Sequence, residues 1–175
     1  TNGNTPQPVI DKVASFQGTS SGITISHLRS NGIKGLWLDN PDDEGRVILY
    51  LHGGAFITCG LNTHRRLVSR ISSASGQSVL NLAYRQMPNV SITHTIEDGV
   101  DAFRWLLDQG FAAENITVAG DSAGGYLAFA IARKVIDSGW GTPAGVVAIS
   151  PLLDLESDTK RAHRNADRCD TFPLS

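Results

Sequence analysis

The stretch Val118-Ala119-Gly120-Asp121-Ser122-Ala123-Gly124-Gly125-Tyr126 carries the pattern Gly-x-Ser-x-Gly, and its flanks make that pattern informative. Residues 114–119 are β-branched and bounded by polar residues, which predicts a buried strand. Residues 126–136 are rich in helix formers and nearly all apolar, which predicts a helix packed against a sheet. A serine on such a strand-to-helix turn exposes its hydroxyl, while the flanking glycines avoid collisions with neighbouring backbone. The pattern therefore predicts that Ser122 is a nucleophile.

A second motif lies upstream, where residues 46–51 predict a strand that runs into His52-Gly53-Gly54-Ala55-Phe56. Glycines after a strand let the backbone turn so that its N–H groups point outward. Acyl transfer builds negative charge on a carbonyl oxygen, and one preorganised N–H donor aimed at that oxygen is worth about 3 kcal/mol. A purely structural turn is the alternative reading of this motif. We predict an oxyanion hole whose N–H donors come from Gly53, Gly54, Ala55 and Ala123.

These motifs resemble those of the hormone-sensitive-lipase-like carboxylesterases (bacterial family IV), a group of α/β-hydrolases. Gly120-Asp121-Ser122-Ala123-Gly124-Gly125 matches the serine motif of that group, and the upstream loop matches its His-Gly-Gly-Gly-aromatic signature with Ala55 in the third glycine place. Tyr84-Arg85-Gln86-Met87-Pro88 and residues 149–155 resemble two further segments of the group, in the same order. The resemblance implies an α/β-hydrolase fold and a serine carboxylesterase that forms an acyl-enzyme, favours short- to medium-chain esters and needs no cofactor.

The rest of the chain predicts an α/β domain with a mostly parallel sheet and flanking helices, because strands alternate with helices. Further predicted strands are residues 21–30, 32–39, 78–84 and 145–150, and further predicted helices are residues 64–75 and 95–109. The first two strands are expected to pair through a turn at Ser30-Asn31-Gly32. Glu97 and Asp98 are expected in the first turn of their helix, where they suit its dipole. Residues 1–20 are predicted to form an N-terminal arm, a possible cap element, and residues 21–175 the N-terminal portion of an α/β-hydrolase domain.

A serine nucleophile of this type needs a base and a carboxylate that orients it, which follow the serine in the order Asp or Glu, then His. His163 is the only histidine after Ser122, and its distance from Asp154 along the chain is too short to place the two on separate strands. The later aspartates are Asp154, Asp158, Asp167 and Asp170. The resemblance marks Asp154 as structural. We therefore expect the chain to be truncated before the catalytic Asp and His, which the remainder of the domain or a second chain would carry.

The remaining histidines and cysteines have other predicted roles. The resemblance implies that the His52 ring orients the loop that begins with His52-Gly53-Gly54-Ala55-Phe56. His27, His64 and His94 are predicted to be surface or packing residues, and nothing in their spacing suits a metal. Cys59 is predicted to be a small buried residue.

Composition limits the classes of function. The chain has 175 residues, of which 41% are hydrophobic and 18% charged, enough for one globular domain with a sizeable core. A net charge of −2 gives no reason to expect nucleic acid or an acidic membrane as a partner. The sequence shows no bilayer-spanning apolar run, no signal-peptide pattern, and no phosphate-loop, dinucleotide or metal motif. We expect a cytoplasmic protein that acts on a small-molecule ester, with an open sheet edge that could support a homo-oligomer or bind the rest of the domain.

Two other classes of function share these motifs. Plant hormone receptors similar to this group keep the fold and the serine motif, lose the catalytic histidine and bind a small molecule, which an incomplete triad also fits. An amidase or acyl transferase would use the same serine machinery, and an inactive fragment would have none of these activities. A histidine in a later segment would separate the enzyme from the receptor.

Overall fold

Strands and helices alternate along the chain after an N-terminal hairpin. The computed structural model describes residues 18–156, together with residues 158 and 162. The strands are β1 (Thr24–Ser30), β2 (Ile33–Asp39), β3 (Val47–Leu51), β4 (Ser78–Leu82), β5 (Ile116–Asp121) and β6 (Gly145–Ile149). The helices are α1 (Leu61–Ser75), α2 (Ile92–Asp108) and α3 (Ala123–Asp137), with a 3₁₀ turn at Ala113–Asn115. Most of the predicted N-terminal arm, residues 1–20, lies outside the described residues.

Within the described residues the strands form a six-stranded sheet in the order β1-β2-β4-β3-β5-β6. β2 pairs antiparallel with β1 and β4, whereas β4, β3, β5 and β6 pair in parallel. The chain therefore moves from β3 outward to β4 and returns past β3 to β5. In an open parallel sheet such a reversal opens a crevice between the carboxyl ends of the two strands. The predicted α/β fold with a mostly parallel sheet is confirmed, and the reversal places the ends of β3 and β5 side by side.

Helices cover both faces of the sheet because its central strands are apolar on both sides. Every residue of β3 is buried. Val47, Leu49 and Leu51 belong to an apolar cluster with residues of α2 and α3, whereas Ile48 and Tyr50 belong to a cluster with residues of α1. Alternate residues of a strand point to opposite faces. Helix α1 therefore packs on one face of the sheet, and α2 and α3 pack on the other.

The predicted N-terminal hairpin is confirmed. β1 and β2 pair directly across the turn, with Ser30 opposite Ile33. The φ angles of Asn31 and Gly32 are 48° and 84°. A two-residue type I′ turn requires such left-handed values, and Asn followed by Gly adopts them most easily.

The helices begin earlier than the hydrophobic pattern predicts. The pattern predicts starts at residues 64, 95 and 126, and the structure places them at Leu61, Ile92 and Ala123. The first turn of a helix often contributes few residues to its buried apolar face. Hydrophobic periodicity therefore places the start of the helix too late. The residues at the N-cap positions are Gly60, Ser91 and Ser122.

The prediction that Glu97 and Asp98 lie in the first turn of α2 is wrong. The helix begins at Ile92, and its first turn holds no acidic residue. Asp98 instead accepts hydrogen bonds from the backbone N–H of Arg85 (2.7 Å) and from its guanidinium Nε (2.9 Å). This ion pair ties the segment after β4 to α2.

β6 forms an edge of the sheet in the part of the chain that the structure describes. Val147 and Ile149 of this strand are about half exposed. Phe129 of α3 and Leu153 after β6 are also exposed. The open, apolar edge expected from the sequence is therefore present.

Candidate active site

The candidate site lies at the carboxyl ends of β3 and β5, where the strand order reverses. The last residue of β3 pairs with Gly120 of β5. The glycine loop (residues 52–60) follows β3, and the turn at Ser122 follows β5, the neighbouring strand. The rings of Phe56 and Tyr126 meet edge to face, with centroids 5.9 Å apart. The sheet topology thus brings the two sequence motifs together.

Ser122 occupies a strained backbone conformation between β5 and α3. Its φ of 51° and ψ of −117° are unusual for a non-glycine residue, and such strain persists only where the surroundings hold it. Its N–H donates to the carbonyl of Ile149 (3.0 Å), and its carbonyl accepts from the N–H groups of Leu152 (2.9 Å) and Gly125 (3.1 Å). Across residues 18–156, nothing is hydrogen-bonded to its hydroxyl. The predicted strand–turn–helix context of Ser122 is confirmed.

The glycines on either side of Ser122 are required by close backbone approach. A Cβ atom at Gly120 would lie 2.6 Å from the carbonyl oxygen of Leu51, and one at Gly124 would lie 2.8 Å from that of His52 and press against that of Leu51. Backbone atoms inside a sheet cannot turn away as the end of a side chain can. The collision expected from the sequence is confirmed.

The glycine loop folds back on itself in left-handed backbone conformations. The φ angle is 125° at Gly54, 53° at Ala55 and 63° at Phe56. The Gly54 carbonyl accepts hydrogen bonds from the N–H groups of Ile57 (3.0 Å) and Thr58 (2.8 Å). No described group accepts from the N–H of Gly54 or Ala55. Neither N–H group is therefore committed to an acceptor among the described residues.

The N–H of Ala123 is a third candidate donor. As the first residue of α3, Ala123 lies at the positive end of the helix, where N–H groups lack intrahelical acceptors. The Gly53 N–H, by contrast, donates to Asp121 Oδ1 (3.0 Å), so it is already occupied. Three of the four predicted N–H donors therefore remain candidates, those of Gly54, Ala55 and Ala123. The oxyanion hole itself stays a prediction.

Asp121, the residue before Ser122, joins three parts of the site. Its Oδ1 accepts from the Tyr50 hydroxyl (2.9 Å) and the Gly53 N–H (3.0 Å), and its Oδ2 lies 3.3 Å from His64 Nε2. Burial alone would raise the pKa of this carboxyl, but these three partners hold the pKa of Asp121 below its ordinary value of 3.8. Burial and the carboxylate together raise the pKa of Tyr50, which keeps its hydroxyl a donor. Asp121 is therefore ionised at neutral pH and links the glycine loop to the serine turn.

Asp121 makes folding stability depend on pH in acid. Because its pKa is lower in the folded than in the unfolded chain, the carboxylate stabilises the fold above pH 3.8, and this contribution is lost as the pH falls through the folded pKa. We expect Asp121→Asn to be less stable than the wild type near neutral pH and the difference in unfolding free energy to shrink below about pH 4. Urea unfolding from about pH 6 to about pH 3 measures this difference. A difference that does not change with pH would contradict the prediction.

The exposed carboxylate of Asp137 provides a control for that measurement. It pairs with Arg133 one helical turn away at the end of α3, and both side chains are more than half exposed. Exposed pairs of this kind contribute little to stability. We expect Asp137→Asn to change the unfolding free energy by less than about 0.5 kcal/mol.

The His52 ring is buried against Tyr84 and contacts the glycine loop. The two rings stack with centroids 4.3 Å apart, and the Tyr84 hydroxyl donates to the His52 carbonyl (2.6 Å). His52 Nδ1 lies 2.8 Å from the Gly53 carbonyl oxygen. Because a carbonyl can only accept, this contact assigns a proton to Nδ1. Burial raises the pKa of Tyr84, so it also remains a donor. The position of the ring agrees with the predicted role of His52.

Of the two roles predicted for His64, surface or packing, the structure supports packing, because its ring centroid lies 5.4 Å from that of His52, and it adds a polar contact that the sequence did not predict. His64 lies in the first turn of α1, its side chain is only 13% exposed, and its Nε2 lies 3.3 Å from Asp121 Oδ2. One signal in the sequence could have found it. A helix that follows a parallel strand begins at the carboxyl edge of the sheet, the edge at which the serine turn also lies.

The other candidate residues lie apart from this network. His27 and His94 are exposed, as predicted. Asp154 is exposed, and its Oδ1 accepts from the N–H of Glu156 (2.8 Å), which agrees with a structural role. Cys59 is half-buried within the glycine loop. Three of the candidate residues lie outside the described part of the chain, and they are His163, Asp167 and Asp170.

The described residues contain neither a candidate metal cluster nor a candidate membrane-spanning helix. No cluster of three or more His, Cys, Asp or Glu side chains in that part of the chain could hold a metal ion. Of the helices it contains, none combines the length and apolar character that a membrane crossing requires.

Known proteins match this chain in both sequence and structure. Residues 48–174 match a family described as alpha/beta hydrolase fold. The chain is 48% identical over 132 residues to Esterase LipU of Mycobacterium tuberculosis, which covers 75% of this chain and 44% of that protein. It is 46% identical over 150 residues to Carboxylesterase/phospholipase LipF of the same species, which covers 86% of this chain and 39% of that protein.

A solved structure adds to these matches. An esterase from the bacterial hormone-sensitive lipase family superposes with a TM-score of 0.79 at 34% identity, covering 86% of this chain and 51% of that chain. The chain thus spans about half, or less, of the length of the relatives it matches. The region matched to the family contains both the glycine loop and the serine turn. The chain belongs to the α/β-hydrolase fold family, in its hormone-sensitive-lipase-like group.

Proposed function

We propose that the complete protein is a serine carboxylic-ester hydrolase and that Ser122 is its nucleophile. The observation that carries the proposal is the strained serine turn beside the glycine loop, with the Gly53 N–H bonded to the residue that precedes Ser122. The names of the relatives, an esterase and a carboxylesterase/phospholipase, support an ester as the substrate class.

The proposed reaction has two halves. In the first, a base removes the Ser122 proton while Oγ bonds to the acyl carbon and the carbonyl electrons move onto oxygen. The N–H groups of Gly54, Ala55 and Ala123 would bind the resulting oxyanion. The oxyanion collapses, the bond to the alcohol breaks, and the protonated base gives its proton to the leaving alcohol. In the second half, water attacks the acyl-enzyme with help from the same base, which releases the acid and restores Ser122.

The base and its orienting carboxylate are assigned to residues outside the described part of the chain. His52 contacts the glycine loop and His64 contacts Asp121, and neither is hydrogen-bonded to the Ser122 hydroxyl. The relatives extend well beyond the aligned region. In α/β-hydrolases the acid and the histidine follow the serine along the chain. We propose that both lie downstream in the complete protein.

The resemblance to the hormone-sensitive-lipase-like group supports a proposal about the substrate, and the exposed sheet edge supports one about partners. We propose short- to medium-chain esters as substrates, with hydrolysis requiring no cofactor. The apolar edge at β6 would bind the remainder of the domain or a second copy of the protein. The cytoplasmic location expected from the sequence stays a prediction.

A fluorophosphonate probe tests the proposed function, because it reacts with activated serine nucleophiles. We expect the complete folded protein to gain one adduct, located on the peptide that contains Ser122 by mass spectrometry of a digest. Heat-unfolded protein, in which the base no longer lies beside Ser122, is the control and should gain none. A complete folded protein that gains no adduct and hydrolyses no ester would instead favour the ligand-binding receptor.

A further inference from the structure

The glycine loop (residues 52–60) is held at both ends. At its start, the Gly53 N–H donates to Asp121 Oδ1 (3.0 Å). At its end, the Gly60 N–H donates to Thr63 Oγ1 (3.0 Å), and the Thr63 hydroxyl donates to the Gly60 carbonyl (2.7 Å). Positive φ angles, which persist only where surrounding contacts hold them, occur between these ends at Gly54, Ala55, Phe56 and Cys59.

His64 connects these two ends. Its Nε2 lies 3.3 Å from Asp121 Oδ2, and its Nδ1 lies 2.9 Å from Thr63 Oγ1. The side chains of His64 and Asp121 are 13% and 22% exposed, so little water competes for the contact. One imidazole therefore contacts both Asp121, the partner of Gly53, and Thr63, the partner of Gly60.

Asp121 is also the backbone neighbour of the proposed nucleophile, because it directly precedes Ser122. Movement of the Asp121 side chain would shift Gly53, and with it the N–H groups of Gly54 and Ala55, relative to Ser122. Oxyanion stabilisation depends on donors held in place before the charge develops. A displacement of about 1 Å in such a site costs about 100-fold in rate.

We propose that His64 is a positioning residue that holds Asp121 and Thr63 so that the glycine loop keeps its N–H donors aligned with Ser122. His64 acts through these neighbours and does not touch the substrate. Its effect on catalysis rests on the proposed function, whereas its effect on the loop is a property of the fold and can be measured separately.

Two substitutions in the complete protein test the proposal. His64→Phe keeps a planar ring but removes both nitrogens, and His64→Gln keeps an amide N–H that can reach Asp121 in place of Nε2–H. We expect His64→Phe to lower kcat for a chromogenic butyrate ester by about 10-fold to 100-fold, with KM within about 3-fold of wild type. His64→Gln should regain most of the lost kcat. His27 is an exposed histidine on β1, and His27→Phe is the matched control. Its kcat and KM should equal those of the wild type.

Hydrogen exchange of the glycine-loop backbone gives a second readout that does not depend on activity. We expect exchange in residues 52–60 to be faster in His64→Phe than in wild type, slowed again in His64→Gln, and unchanged in β3. The proposal would be overturned if His64→Phe kept both the wild-type kcat and the wild-type exchange rate in residues 52–60. It would also be overturned if His64→Phe and His64→Gln lost the same fraction of kcat. If the wild type neither hydrolyses esters nor labels at Ser122, the proposed function fails, and the exchange comparison alone decides whether His64 holds the loop.

Discussion

Replacing Ser122 with alanine in the complete protein is expected to lower kcat for ester hydrolysis by at least about 10⁴-fold, because the attacking oxygen is removed. The fold should survive, since the hydroxyl forms no hydrogen bond with any residue in 18–156 and the backbone contacts of the turn remain. Initial rates on a short-chain ester, together with labelling by the fluorophosphonate probe, measure the effect. Unfolding in urea checks that stability changes by less than about 0.5 kcal/mol.

Ser138 at the opposite end of α3 provides the matched control for this experiment. It follows the last residue of the helix and is exposed. Ser138→Ala should therefore keep both wild-type kcat and probe labelling. The assignment of the nucleophile would be wrong if Ser122→Ala kept the wild-type rate of ester hydrolysis. It would also be wrong if the probe still labelled the Ser122→Ala variant, at another residue.

Replacing Gly124 with alanine is expected to destabilise the protein by about 3 kcal/mol, because the new methyl group overpacks a closed contact. Its Cβ would press on the carbonyl oxygen of Leu51 and lie 2.8 Å from that of His52, so β3 and α3 would have to separate. Intrinsic propensity points the other way, since alanine in a helix is favoured over glycine by about 1 kcal/mol. Urea unfolding of the complete protein therefore tests the sign of the effect as well as its size.

Gly18→Ala, in the exposed segment before β1, is the control because it adds the same methyl group at an open position. No atom in the described residues lies within 4 Å of a Cβ built there. We expect a change of less than about 0.5 kcal/mol. Equal effects of the two substitutions would show that close approach between β3 and α3 does not explain the glycine at position 124.

Local patterns predicted most of the fold and the parts of the site that depend on neighbouring residues. The hairpin turn at Asn31 and Gly32 follows from the backbone preferences of those two residues. The strained turn at Ser122 follows from its two flanking glycines, which pack against the end of β3 as expected. Helix starts were less predictable, because the first turn of each helix adds little to the apolar stripe and depends on the residues that precede it.

The network around Asp121 could not be read from local patterns. Its partners His64, Gly53 and Tyr50 lie 57, 68 and 71 positions away along the chain, on different elements. Whether the Gly53 N–H faces a substrate or a carboxylate depends on which side chain arrives beside it, and that depends on the reversal of strand order at β3.

Short-range sterics and periodicity are properties of a few consecutive residues, so the amino-acid sequence specified the strands, the serine turn and the presence of an N–H-bearing loop. Hydrogen bonds between distant side chains exist only after the sheet has brought their elements together. The roles of Gly53, Asp121 and His64 therefore emerged only with the assembled sheet, because a hydrogen bond requires its two groups to lie about 3 Å apart.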